Sequence, residues 1–177
     1  LGYGCSYDAA FLKVDIDDYD RNTGTLEDPI RGLPRSEAIV TLLDSLGIKY
    51  NGIRTEHGKH LFFRRPATLE ERNKQNWYCT IGIKGEWKFP GRDDHITLVI
   101  NGVERQFFKG SITNTDIDDL PCFLMPLQKA KDKPFDLTFP SGDRTQKLCA
   151  YLFHLIKKGY SAEETFSIIR LMNDHVF

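Results

Sequence analysis

Apolar and polar residues alternate through Phe11-Leu12-Lys13-Val14-Asp15-Ile16-Asp17-Asp18-Tyr19. A period of two belongs to a strand: Val14 and Ile16 point into a core, and Asp15 and Asp17 share the other face. A polar loop rich in Gly, Pro and charge follows, from Asp18 to Pro34. Ser36 to Leu46 has apolar residues at helical spacing and stops at Gly47, a good helix end. Ile48 to Thr55 and His60 to Phe63 read as a strand pair around the turn Glu56-His57-Gly58-Lys59. Leu69 to Asn76 is polar and reads as helix. Tyr78 to Ile83 reads as a strand that continues through Glu86 to Phe89. His95 to Ile100, Asn101-Gly102, then Val103 to Phe108 is the strongest local signal, a hairpin closed by a type I′ turn. Asp116 to Leu127 reads as a short helix or turn broken by Pro121 and Pro126.

Beyond a charged connector the pattern changes. Gly142 to Lys158 and Ser161 to Phe177 both have helical periodicity, Gly159 separates them, and Ser161-x-x-Glu164 is a capping box. The expected fold class is therefore α+β: a mixed or antiparallel sheet with helices packed on it, followed by a small helical module. The expected partition is 1–127 for the main domain, 128–140 for the connector and 141–177 for the module. Leu1 in place of Met suggests residues upstream or an excised fragment. Phe177, inside a helical pattern, suggests that the chain continues.

Composition narrows the class. With 177 residues, 40% hydrophobic and 12% aromatic, there is material for one ordinary core and a small appendage. A net charge of −1 excludes a general positive field, so any nucleic-acid contact comes from local patches. Cys5, Cys79, Cys122 and Cys149 lie far apart without C-x-x-C spacing, which favours reduced thiols in a cytoplasmic protein over a zinc site. No apolar run is long enough to span a membrane, and no signal peptide is visible.

The candidate chemistry starts at Asp15 and Asp17. Two like charges side by side repel, and a fold that keeps them together commonly does so for a divalent cation. Strand-end charges or a calcium loop are the other readings. His60 opens an apolar strand after a glycine-containing turn. Alone it reads as structural, but Lys59 beside it makes the pair suited to phosphate oxygens. In Gly82-Ile83-Lys84-Gly85-Glu86-Trp87-Lys88-Phe89, a strand puts Lys84, Glu86 and Lys88 on one face. That face is either solvated or offers a third carboxylate. Asp116-Ile117-Asp118-Asp119 repeats the spacing of the first pair but reads as a helix start, with Asp116 as N-cap and Asp118 and Asp119 in the first turn.

In order, these pieces resemble the archaeo-eukaryotic primase superfamily, and more narrowly the primase–polymerase domains of replication proteins in phages, plasmids and mobile elements. Val14-Asp15-Ile16-Asp17 matches the first motif, hydrophobic-Asp-hydrophobic-Asp. Gly58-Lys59-His60 before Leu61-Phe62-Phe63 matches the second, small-x-His. The third, a hydrophobic residue and an acid, falls on Gly82 in one alignment and on Glu86 in another; Glu86 sets Cys79 to Lys88 better before the Asn101-Gly102 hairpin. Ser141-Gly142-Asp143-Arg144-Thr145 and the two helices resemble the helical module that follows such domains, with a partial match to its Gly-x-Arg-Asn.

The resemblance implies an RRM-like catalytic core and template-directed nucleotidyl transfer, a DNA primase/polymerase with a two-metal Mg²⁺ or Mn²⁺ site. Asp15, Asp17 and Glu86 would hold the metals, and Lys59 and His60 the nucleotide. Lys84, Lys88 and Arg105 are candidates for phosphate or template contacts. The implied partners are nucleoside triphosphates, single-stranded DNA template and primer, and a helicase, linked or separate. The implied location is the cytoplasm of a bacterial host or virus-infected cell, with no membrane. Two alternatives stand beside this one: a catalytically incomplete nucleotide- or DNA-binding module, and a metal-dependent nuclease. On repulsion alone, removing one carboxylate of the pair should leave the fold intact.

Overall fold

Strand β2 (Phe11–Asp17) is where the alternating run lands, and Leu12, Val14 and Ile16 are buried as expected. The computed structural model describes residues 2–20, 22–91, 94–131 and 142–176. The remaining elements in chain order are β1 (Tyr3–Cys5), α1 (Arg35–Ser45), β3 (Asn51–Arg54), β4 (Gly58–Arg64), β5 (Lys74–Cys79), β6 (Lys84–Lys88), β7 (Ile96–Ile100), β8 (Val103–Glu104), β9 (Phe107–Lys109), a 3₁₀ turn (Cys122–Leu124), β10 (Pro126–Lys129), α2 (Arg144–Lys157), α3 (Ala162–Leu171) and a π turn (Met172–Val176). The fold is α+β with antiparallel strand pairing.

The chain forms two compact units, Leu1–Gln75 with Gly85–Leu120, and Asn76–Lys84 with Pro121–Phe177. In the first, strands run in the order β6-β2-β4-β3-β9, and β1-β7-β8 make a second, three-stranded sheet. One face of the larger sheet carries Leu12, Val14, Ile16, Leu61 and Phe63 and is covered by α1 through Ile39, Leu42 and Leu43. On the other face Phe62 and Ile53 pack with Ile96 and Ile117, against Tyr7, Phe11, Leu98 and Phe107. That second core covers only part of its face. The rest carries polar residues.

In the second unit β10 pairs with β5, from Pro126 opposite Cys79 to Lys129 opposite Trp77. α2 and α3 bury Tyr151, Leu155, Ile168 and Met172. Ser161 and Glu164 form the expected capping box, and Gly159 ends α2 with φ +94°. Among the described residues no helix is long and apolar enough to cross a membrane.

Four expectations are corrected. Leu69 to Asn76 is not a helix: β5 begins at Lys74, and the side chain of Asn73 accepts a hydrogen bond from the Phe89 amide. The run from Tyr78 to Phe89 is not continuous, because the chain turns back between Cys79 and Ile83, with Gly82 at φ +81°. Asn101-Gly102 does turn with both φ angles positive, as a type I′ turn requires, but its second arm stops at Glu104 and Phe107–Lys109 joins β3 instead. Asp116 caps no helix; it binds Lys49, whose amide also donates to Asp118. The two units cut the chain differently from the linear partition 1–127, 128–140 and 141–177, since Asn76–Lys84 joins the C-terminal part. Of the connector, Gln128 and Lys129 lie in β10; 132–140 lie outside the described residues, as do Ser141 and Phe177.

Candidate active site

β2 runs between β6 and β4, and at position 15 the three strands bring chemistry into one row. Asp15 is opposite Glu86 on β6 and opposite His60 on β4. Residues directly opposed in antiparallel strands project to the same side, so two acids and an imidazole stand together. Asp17, two residues along, points to that side as well and lies opposite Gly58. Lys88 lies one step back, opposite Lys13.

The side chains engage one another. His60 Nε2 is 3.4 Å from Asp15 Oδ1. The Lys88 ammonium lies 3.0 Å from Asp15 Oδ2 and 2.9 Å from Glu86 Oε2, bridging the two acids. Asp15 is only 7% exposed. That burial pushes its carboxyl up, but the hydrogen bond and charge of His60, joined by Lys88, outweigh it and hold the group well below its ordinary range. Burial likewise disfavours the Lys88 ammonium, while Asp15 and Glu86 overcome this and raise its affinity for the proton. His60 Nδ1 is buried with no hydrogen-bond partner among the described residues. Such a group is costly to leave unpaired and marks a site short of a partner.

A second buried network flanks the row. Lys13 Nζ donates to Asp94 Oδ1 at 2.5 Å and to the His95 carbonyl at 3.2 Å. The Tyr7 hydroxyl donates to Asp94, and the Lys88 carbonyl lies 3.1 Å from the same oxygen. Burial first, then Asp94, pushes the Tyr7 hydroxyl far up, so it stays a donor. At the other end of the row, Arg35 Nε donates to the Asp17 carbonyl and its Nη2 to Glu27 at 2.6 Å, which ties the end of β2 to α1. Lys13 belonged to the legible alternation of β2. Tyr7, Asp94 and Arg35 carried no local signal, because their partners are distant in sequence.

Not every residue singled out from the sequence joins the row. Neighbours on a strand point to opposite faces, so Lys59, beside His60, turns to the α1 side. There it donates to Ser36 Oγ at 2.9 Å and to Glu37 at 2.6 Å, and Ser36 in turn binds Asp18 through its amide and hydroxyl. Lys84 opens β6 and falls in the second unit. Arg105 lies in the link from β8 to β9, its amide on the Leu98 carbonyl. Of the two residues aligned to the third motif, Glu86 is in register with Asp15 and Gly82 occupies a turn.

The acids are hard oxygen donors of the kind Mg²⁺ and Mn²⁺ take. Among the described residues no three His, Cys, Asp or Glu side chains converge as ligands of one ion. The cation that Asp15 and Glu86 hold between them is Lys88. The oxygen donors of Asp15 and Glu86 are of a type that suits a divalent ion, and Lys88 lies between them. No protein-family model matches this chain, and no curated protein matches it.

Proposed function

We propose that the protein is a template-directed nucleotidyltransferase, a DNA primase/polymerase of a phage, plasmid or mobile element, acting in the cytoplasm of the host cell. The observation that carries this reading is the register across β6, β2 and β4. It sets Glu86, Asp15 and His60 side by side, with Asp17 next along on the same face. Three short sequence motifs far apart in the chain thus meet at one place on one sheet.

Asp15, Asp17 and Glu86 would hold divalent ions. The chemistry Mg²⁺ or Mn²⁺ supplies when bound is activation of the primer 3′-hydroxyl and stabilisation of the leaving pyrophosphate. The protein's part is to position. β2 carries two carboxylates on one face at a fixed spacing, and Arg35 holds the strand end that bears Asp17. His60, against Asp15, takes the polyphosphate of the incoming nucleoside triphosphate. Lys59 works from the far side of the sheet, anchoring α1. Lys88, on the polar face, is the basic residue best placed to meet phosphate. Partners on this reading are nucleoside triphosphates, a single-stranded DNA template with its primer, and a helicase.

The test is incorporation of labelled nucleotide on a primed single-stranded template with Mn²⁺. Asp15→Asn and Glu86→Gln should each lower the rate by at least about a hundredfold. Normal incorporation by a folded Asp15→Asn protein would sink the assignment. Nucleotide binding without incorporation by the wild type would favour the binding module, and template degradation without triphosphate the nuclease.

A further inference from the structure

Lys88 is tied into this site from two directions. Its backbone is held by the pairing of β6 with β2, where it lies opposite Lys13. Its ammonium lies 3.0 Å from Asp15 and 2.9 Å from Glu86, and the side chain is still 22% exposed. A lysine has a flexible four-carbon stem and a compact charge, so the head can leave while the backbone stays. Lys13, directly across the strand pair, is held by Asp94. Lys88 is therefore the cation that Asp15 and Glu86 share. A divalent ion would bring two positive charges to the same oxygens, and an ammonium within about 3 Å of them would repel it strongly at low dielectric.

We infer that Lys88 is a built-in counter-ion that a divalent cation must displace. In the metal-free protein it holds the two carboxylates together; on metal binding it gives them up and swings toward solvent. The inference rests on the reading above, in which Asp15 and Glu86 are metal ligands. The device keeps buried Asp15 and partly exposed Glu86 paired at all times and sets a threshold of metal concentration for filling the site.

The experiment titrates the full chain with Mn²⁺, reading free Mn²⁺ by its paramagnetic resonance signal. Lys88→Met should bind Mn²⁺ about tenfold tighter than wild type or better, since its competitor is gone. It should also have a lower Tm in chelator, which Mn²⁺ restores. Asp15→Asn should lose the binding. If Asp15→Asn loses it and Lys88→Met binds no tighter than wild type, the exchange is overturned and the metal-ligand reading stands. If no variant shows binding sensitive to Asp15, both fall. Should Lys88→Met not fold, the wild type decides by ¹⁵N NMR of lysine ammonium groups. Saturating Mg²⁺ should release the Lys88 signal from its hydrogen-bonded state; a Lys88 ammonium still protected with Mg²⁺ bound overturns the inference.

Discussion

With all but 7% of its surface buried, Asp15 would be an expensive charge on its own. His60 at 3.4 Å and Lys88 at 3.0 Å change its sign in the balance. The sequence argument, that one of two repelling acids can be removed without harm, omitted these partners. Asp15 stabilises the fold because its charge is used. Its carboxyl is held below the ordinary value of 3.8, so its contribution is complete above that pH and is lost as the pH falls through 3.8 and lower. Asp15→Asn keeps the shape and removes the charge, leaving Lys88 with Glu86 alone. The expected cost is about 1–3 kcal/mol at neutral pH, below that of an isolated buried pair because Glu86 remains. Urea denaturation from pH 7 down to pH 3 should show the wild type keeping its full advantage over the variant until pH 3.8 and losing the first part of it below that. Equal stability at neutral pH would contradict this account of Asp15.

At the scale of elements, the row of acids depends on how closely β4 approaches β2. A Cβ on Gly58 would lie 1.9 Å from the Ile16 carbonyl oxygen, which is backbone and cannot turn aside. Gly58→Ala should therefore push the start of β4 away from β2 where Asp17 stands. The expected loss is about 1–3 kcal/mol in urea denaturation, and a change under about 0.5 kcal/mol would place Gly58 among ordinary surface positions. Such a contact is invisible locally. Alternation was legible at Val14, Asp15, Ile16 and Asp17 because it is a property of one strand. The Asn101-Gly102 turn and the Ser161 capping box were legible because their chemistry is short-ranged. Register was not, for nothing near Asp15 announces that Glu86 and His60 will flank it; the order of the motifs was the only hint. The first half of β5 was misread because Lys74-Gln75-Asn76 is polar throughout, with Gln75 and Asn76 exposed, and shows no alternation of apolar and polar positions. Lys59 was grouped with His60 by adjacency, where strand geometry separates them.

The division of the whole chain turns on residues 76–84, which a linear reading assigns to the main domain. Within the second unit Thr80 is held on three atoms. Its carbonyl accepts the Tyr151 hydroxyl of α2, its hydroxyl donates to the Cys122 carbonyl at 2.9 Å, and its amide donates to the Met125 carbonyl at 3.1 Å. Cys79 beside it is buried, and that burial pushes its thiol up to about 11 from 9.0, which leaves little reactive thiolate at pH 8. A fragment ending at Lys131 keeps all of β10 with Cys79 and Thr80 but removes Tyr151 and both helices. If α2 and α3 complete the core around the β5 hairpin, Cys79 in that fragment should alkylate at pH 8 roughly tenfold faster or more than in the full chain. The fragment should also bind a hydrophobic dye that the full chain excludes. Site-resolved mass spectrometry after iodoacetamide treatment separates Cys79 from Cys5 and Cys122, which are already partly exposed. Equal protection of Cys79 in both proteins would make the helices an appendage on a self-sufficient domain. Faster alkylation would show that the hairpin needs them, and that a cut in the linker severs one folding unit.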